Sequence, residues 1–117
     1  MTGRRVVVVD DNASMRMLVG MHLQLEGWDV VGEAADAEEG LAQVASLQPD
    51  AVVLDQELPL GPGTRVLPEM RAQCPQARIV LFSADPTHRV VGEELGADGF
   101  LLKGEPLSQL TCLLGPQ

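Results

Sequence analysis

Four consecutive valines, Val6 to Val9, run directly into a pair of aspartates, Asp10 and Asp11. An unbroken β-branched run is what a strand needs when both of its faces are covered, whereas a half-wet strand alternates apolar and polar residues. Further short apolar runs follow at residues 28–32, 51–54, 79–82 and 99–102, with amphipathic stretches between them. Strand-length apolar runs alternating with helix-length amphipathic stretches predict repeated βαβ units and a parallel sheet. The run at 28–33 carries more polar residues and suits a sheet edge.

The intervening stretches read as helices. The first starts near Ala13 and stops at Gly27, with Met15, Leu18, Val19, His22 and Glu26 on the helical period. Asp36 and Glu39 form a capping box ahead of a stripe made by Ala37, Leu41, Val44 and Ala45. A third helix follows Gly61-Pro62-Gly63 and runs to about Gln73, with Pro68 confining regular hydrogen bonding to its later part. Pro86 and Pro106 open a fourth and a fifth helix. At 117 residues, 45% of them hydrophobic, the chain reads as a single domain over residues 1–117.

A net charge of −9 argues against direct nucleic-acid binding, which calls for a basic stripe. No apolar run is long enough to span a bilayer, and residues 1–5 are too short and polar for a signal peptide, so a cytoplasmic location is expected. Cys74 and Cys112 lack metal-ligand spacing and are expected to be free and structural. Seven of the eight basic residues are arginine, and Lys103 is the only lysine. A lone lysine among arginines suggests a position that needs a compact, mobile ammonium.

Four of the runs end in polar residues: Asp10-Asp11, Asp55, Ser83 and Lys103. Open parallel sheets bind ligands beyond the carboxyl ends of their strands, where the strand order reverses. A strand order of 2-1-3-4-5 brings these residues into one pocket. Taken singly, a strand-end aspartate is more often a turn or cap residue. Together, three carboxylates resist joint ionisation, and a divalent cation relieves that conflict. Oxygen donors without histidine or cysteine point to Mg²⁺. A carboxylate there can attack a phosphoryl donor to give an aspartyl-phosphate, and Lys103 and Ser83 are placed to meet the developing charge.

These stretches resemble the receiver domains of two-component response regulators over essentially the whole chain. The resemblance is carried by Val6-Val7-Val8-Val9-Asp10-Asp11, by Val52-Val53-Leu54-Asp55 with Pro59, by Phe82-Ser83-Ala84, and by residues 96–103 ending at Lys103. It implies a three-layer, flavodoxin-like (βα)5 fold with a five-stranded parallel sheet. It also implies that Asp55 is phosphorylated by a sensor histidine kinase or phosphotransfer protein. Mg²⁺ would be held by Asp11, Asp55 and the carbonyl of Glu57, with Asp10 acting partly through a metal-bound water. Ser83 would move to the phosphoryl group and Phe100 would rotate inward, changing the face formed by helix four, strand five and helix five. A downstream target or effector domain would read that face, and homodimerisation on phosphorylation stays open. Such a domain is a phosphoacceptor that catalyses its own phosphoryl transfer and autodephosphorylation rather than an enzyme acting on other substrates.

Some residues depart from the family pattern. Gly104 follows Lys103 where a proline is usual, and Glu57 and Asp85 place extra acids two residues beyond Asp55 and Ser83. His22 reads as structural and His88 as solvent-facing, while Met15, Met17 and Met21 fit core packing or incidental exposure. The main alternative is a receiver-like interaction module that signals without phosphorylation. A haloacid-dehalogenase-type phosphatase needs a second aspartate two residues after its nucleophile, where Asp10 has Asn12. A nucleotide-binding fold lacks support, because no glycine-rich phosphate loop follows the first strand.

Overall fold

A computed structural model describes residues 4–115. Its strands are β1 (Arg5–Val9), β2 (Asp29–Ala34), β3 (Ala51–Asp55), β4 (Arg78–Ser83) and β5 (Gly99–Leu102). They pair in parallel in the order β2-β1-β3-β4-β5, so the sheet is the one the apolar runs predict, with the more polar β2 at an edge. The helices are α1 (Ala13–Leu25), α2 (Ala37–Leu47), α3 (Leu67–Gln73), α4 (His88–Leu95) and α5 (Ser108–Leu114), and a short 3-10 turn, Gly63–Arg65, precedes α3. The whole is a three-layer flavodoxin-like (βα)5 fold.

The period of two along each strand sorts the core into two layers. Val7, Val9, Val52, Leu54, Ile79, Leu81 and Phe100 point to one face and pack with residues of α2 and α3 such as Val44, Leu67 and Met70. Val6, Val8, Val53, Val80, Phe82 and Leu101 point to the other and meet Val19 and Leu23 of α1 and Leu110 and Leu114 of α5. Every β1 residue from Val6 to Val9 is buried, because helices cover both sides.

Local signals at the helix ends behave as their chemistry requires. Asn12 caps α1, its side chain accepting from the Met15 amide at 3.0 Å. Asp36 accepts from the Glu39 amide at 2.8 Å, and Glu39 reaches back to the Ala35 amide at 2.8 Å, one residue before the box would place it. Pro68 falls in the first turn of α3, where its missing N–H costs nothing. Pro86 and Pro106 lie ahead of α4 and α5 rather than within them.

Two expectations need correction. Leu18, placed on the inward stripe of α1, is 53% exposed, and Leu23 takes the core position instead. The helix carries apolar residues on more than one side (Met17, Leu18, Met21 and Leu25 all face out), so periodicity alone does not select the buried face. Contact with β1 and β2 selects it. Cys112 is exposed rather than structural, while Cys74 is buried and sits 3.5 Å from the Pro49 carbonyl. Among the described residues no helix is long and apolar enough to cross a membrane.

The two leucines on α1 give a direct stability contrast. Leu23→Ala should lower unfolding free energy by about 2–5 kcal/mol, and Leu18→Ala should change it by no more than about 0.5 kcal/mol. Urea denaturation of both variants reads the difference, and equal losses would contradict this orientation of α1.

Candidate functional site

Parallel strands place all five carboxyl ends on one edge, and the register aligns the polar residues there. Val9 lies opposite Leu54, Asp55 opposite Phe82, and Ser83 opposite Leu102. The residues at or just beyond the ends of four adjacent strands, Asp10, Asp55, Ser83 and Lys103, therefore stand side by side.

Asp10, Asp11 and Asp55 bring carboxylate oxygens within 4.8 Å of one another, with Asp10 and Asp55 buried and Asp11 exposed. One oxygen of each buried acid is satisfied. Asp10 Oδ1 accepts from the Asn12 amide at 2.9 Å, and Asp55 Oδ1 accepts from the Glu57 amide at 3.0 Å and Lys103 Nζ at 2.8 Å. The other oxygens, Asp10 Oδ2 and Asp55 Oδ2, are buried without a hydrogen-bond partner among the described residues. Orphaned buried carboxylate oxygens are costly unless something positive occupies the space between them. A hard divalent cation fits that donor set in charge and in chemistry.

Lys103 Nζ also lies 3.2 Å from Glu57 Oε1, and its ammonium sits 5.5 Å from the Phe82 ring centroid. The peptide following it is trans, since no described residue has a cis bond, and Gly104 adopts φ +98°, a left-handed conformation that suits glycine. Ser83 is fully buried. Its hydroxyl contacts Glu57 Oε2 at 2.7 Å and His88 Nδ1 at 2.7 Å, and the Asp85 amide reaches it at 3.0 Å. An ionised carboxylate has no proton to give, so the hydroxyl donates to Glu57 and accepts from the Asp85 amide and from His88 Nδ1–H.

Electrostatics follow from this crowding. Burial, reinforced by the charge of Asp10, raises the Asp55 carboxyl to about 6 against the opposing pull of Lys103 and the Glu57 amide. Partial burial pushes Glu57 upward too, but donation from Ser83, the Ala84 amide and Lys103 outweighs it and leaves Glu57 below its ordinary value. Burial opposes the charge on Lys103, yet Asp55 and Glu57 together raise it.

Several sequence expectations change here. His88, read as solvent-facing, is half-buried with Nδ1 on Ser83 and 3.6 Å from Glu57 Oε2, because the turn before α4 folds it back over the strand end. Phe100 is 5% exposed and packs in the core, with the Arg89 guanidinium 5.1 Å from its ring. Asp85 turns away from the pocket and caps Thr87, accepting from its amide at 2.9 Å and its hydroxyl at 2.8 Å. The pair Gln56 and Thr64 was not singled out from sequence. Gln56 Nε2 donates to Thr64 Oγ1 at 3.0 Å and Thr64 N donates to Gln56 Oε1 at 2.8 Å, clamping the loop that follows Asp55. Gly63 passes so close to the Asp55 carbonyl that any Cβ would collide with it.

A carboxyl raised from 3.8 to about 6 favours the fold while it is protonated. That contribution is complete below the unfolded value and is lost as pH rises through the folded one. In metal-free buffer the stability of Asp55→Asn relative to wild type should therefore grow between about pH 4 and about pH 7. Urea midpoints across that range check it, and a constant gap would contradict a raised Asp55.

Comparison with known proteins agrees with this arrangement. The family model of the response regulator receiver domain matches residues 6–114. The chemotaxis protein CheY of Thermotoga maritima is 34% identical over 103 residues, covering 86% of this chain and 86% of that protein. The alkaline phosphatase synthesis transcriptional regulatory protein PhoP of Bacillus subtilis is 35% identical over 102 residues, covering 86% of this chain and 42% of PhoP, so the chain spans less than half of that relative. The crystal structure of Vibrio cholerae chemotaxis protein CheY4 superposes with a TM-score of 0.83 at 29% identity, covering 94% of each chain. A match running from the first strand into the last helix takes in every strand end described above, and the chain belongs to the response regulator receiver domain family of two-component signalling.

Proposed function

We propose that the chain, as a single receiver unit over residues 1–117, accepts a phosphoryl group on Asp55 from a sensor histidine kinase or phosphotransfer protein, in a Mg²⁺-dependent reaction. The observation that carries this reading is the pairing of a buried Asp55 oxygen with Lys103 at 2.8 Å while the second oxygen has no partner. Asp10, Asp11, Asp55 and the carbonyl of Glu57 are the groups that would hold the cation. When bound, Mg²⁺ neutralises clustered carboxylates and screens the negative charge of an incoming phosphodonor.

The chain's own groups do the rest. Lys103 and the Glu57 amide fix the orientation of the Asp55 carboxylate for in-line attack on phosphorus. A new O–P bond forms as the donor's P–N bond breaks, and the electron pair leaves with the donor imidazole. Lys103 then stands beside the new charge as a preorganised donor, and Ser83 is near enough to join it once its hydroxyl turns. Ser83 cannot turn to the phosphoryl oxygens while it donates to Glu57, so phosphorylation releases its present contacts. His88 belongs to α4, and its contact with Ser83 supports an output change on the face made by α4, β5 and α5. Val90 and Val91 are exposed there for a downstream protein or a linked effector domain, and for a second copy if phosphorylation drives dimerisation. This role is that of a phosphoacceptor catalysing its own modification and autodephosphorylation, in the cytoplasm, without nucleic-acid or membrane contact by this segment.

Intact mass after incubation with acetyl phosphate tests the reading. Wild type should gain one phosphoryl group with Mg²⁺ and none without it, and Asp55→Asn should gain none. No gain by folded wild type would leave a phosphorylation-independent interaction module. Lys103→Arg should slow uptake by roughly 10-fold or more despite keeping the charge, and a wild-type rate would show the lysine to be incidental. Millimolar Mg²⁺ should raise Tm by relieving the repulsion among Asp10, Asp11 and Asp55, and thermal melts with and without chelator measure it.

A further inference from the structure

The side chain of Glu57 occupies an unusual place. Its Oε1 accepts from the Ala84 amide at 3.1 Å and lies 3.2 Å from Lys103 Nζ, while Oε2 accepts from the Ser83 hydroxyl at 2.7 Å. These donors come from the end of β4, the turn beyond it and the end of β5, and they converge on one carboxylate. Lys103 also holds Asp55 Oδ1 at 2.8 Å, so the donors surround the space immediately next to the acceptor carboxylate. An anion covalently attached to Asp55 has the same donors within reach.

Charge makes the two occupants exclusive. The lone lysine already faces Asp55 and Glu57, with Asp10 and Asp11 nearby. Arg16, the arginine nearest the acids by contact, is engaged with the Asp10 carbonyl at 2.7 Å and with Glu33 at 3.2 Å. A phosphoryl group added beside Asp55 would sit against the Glu57 carboxylate, with Lys103 shared between them and the His88 ring 3.6 Å from Glu57 Oε2, and like charges at that range do not share one set of donors. Glu57 lies on a loop and its side chain is 40% exposed, so an outward swing into water is open to it. Once it leaves, the Ser83 hydroxyl loses its acceptor and is free to donate elsewhere.

We propose that the Glu57 carboxylate is a built-in occupant of the phosphoryl-oxyanion site, holding Ser83, Lys103 and the Ala84 amide while Asp55 is unmodified, and that an incoming phosphoryl group must displace it. This rests on the phosphoacceptor reading above and adds a competitor internal to the chain. Glu57 is thereby a positioning residue that sets how readily Asp55 is modified.

The experiment compares wild type, Glu57→Ala and Glu57→Gln, each verified as folded by circular dichroism. With acetyl phosphate and Mg²⁺, Glu57→Ala should take up phosphoryl about tenfold faster than wild type, since its competitor is held by charge-assisted hydrogen bonds. Glu57→Gln, which keeps the shape and loses the charge, should also be faster. Separately, orthophosphate titrated into the ¹⁵N-labelled proteins with Mg²⁺ should perturb the Ala84 amide at about tenfold lower concentration in Glu57→Ala than in wild type. Equal or slower uptake together with unchanged orthophosphate affinity would overturn the proposal while leaving Asp55 as acceptor. If no variant gains phosphoryl, the acceptor reading fails, and the orthophosphate titration still decides whether Glu57 fills an anion site.

Discussion

The contact between the buried Asp55 carboxylate and Lys103 governs the rest of this structure. Moving an ionised carboxylate out of water costs several kcal/mol even after relaxation, and one well-placed ammonium offsets it only when the remaining lone pairs are also served. Here one Asp55 oxygen has both Lys103 and the Glu57 amide, and the other has no hydrogen-bond partner among the described residues. The carboxylate is thus held in one orientation with its charge only half compensated. The raised Asp55 carboxyl is the electrostatic expression of that imbalance.

Holding those two groups together is the task of the sheet. Parallel pairing in the order β2-β1-β3-β4-β5 sets β3 between β1 and β4, which brings Asp10 to one side of Asp55 and Ser83 to the other. Core packing on both faces stiffens the strands up to their last residues, and every residue of β3 is buried. The loop beyond Asp55 is held by the reciprocal Gln56–Thr64 hydrogen bonds and by the glycine at position 63, where no side chain would fit. Precision at the strand end therefore depends on residues that carry no chemistry themselves.

The same edge joins the pocket to α4. Ser83 is bonded at once to Glu57, two residues past Asp55, and to His88 in the first turn of α4. A hydroxyl has one proton, so a change in its acceptor changes what it does for its other neighbours. A new charge at Asp55 acts on such an element by shifting populations between arrangements that differ by a few kcal/mol. Ser83 touches the start of α4 directly, whereas the Phe100 ring is packed in the core with the Arg89 guanidinium 5.1 Å away.

Much of this was legible in the residues themselves. The short apolar runs located all five strands, and the unbroken one at Val6 to Val9 implied two covered faces. The acids, the serine and the lone lysine at the strand ends marked the site, because residue type and position after a strand are local properties. Other features depended on the third dimension. Leu18 and Leu23 are equally apolar, and only contact with the sheet sends one outward and the other into the core. His88 looked like an exposed helix residue until the turn before α4 folded it onto Ser83. The direction of the Glu57 side chain was equally hidden, since its three donors come from segments about 26 to 46 residues further along the chain and meet only after the strands pair. The sequence by itself determined which groups are present and at which strand end each one sits. Tertiary structure alone decided which of them touch, because hydrogen bonds and ion pairs depend on ångström-scale distances between segments that the chain does not order locally.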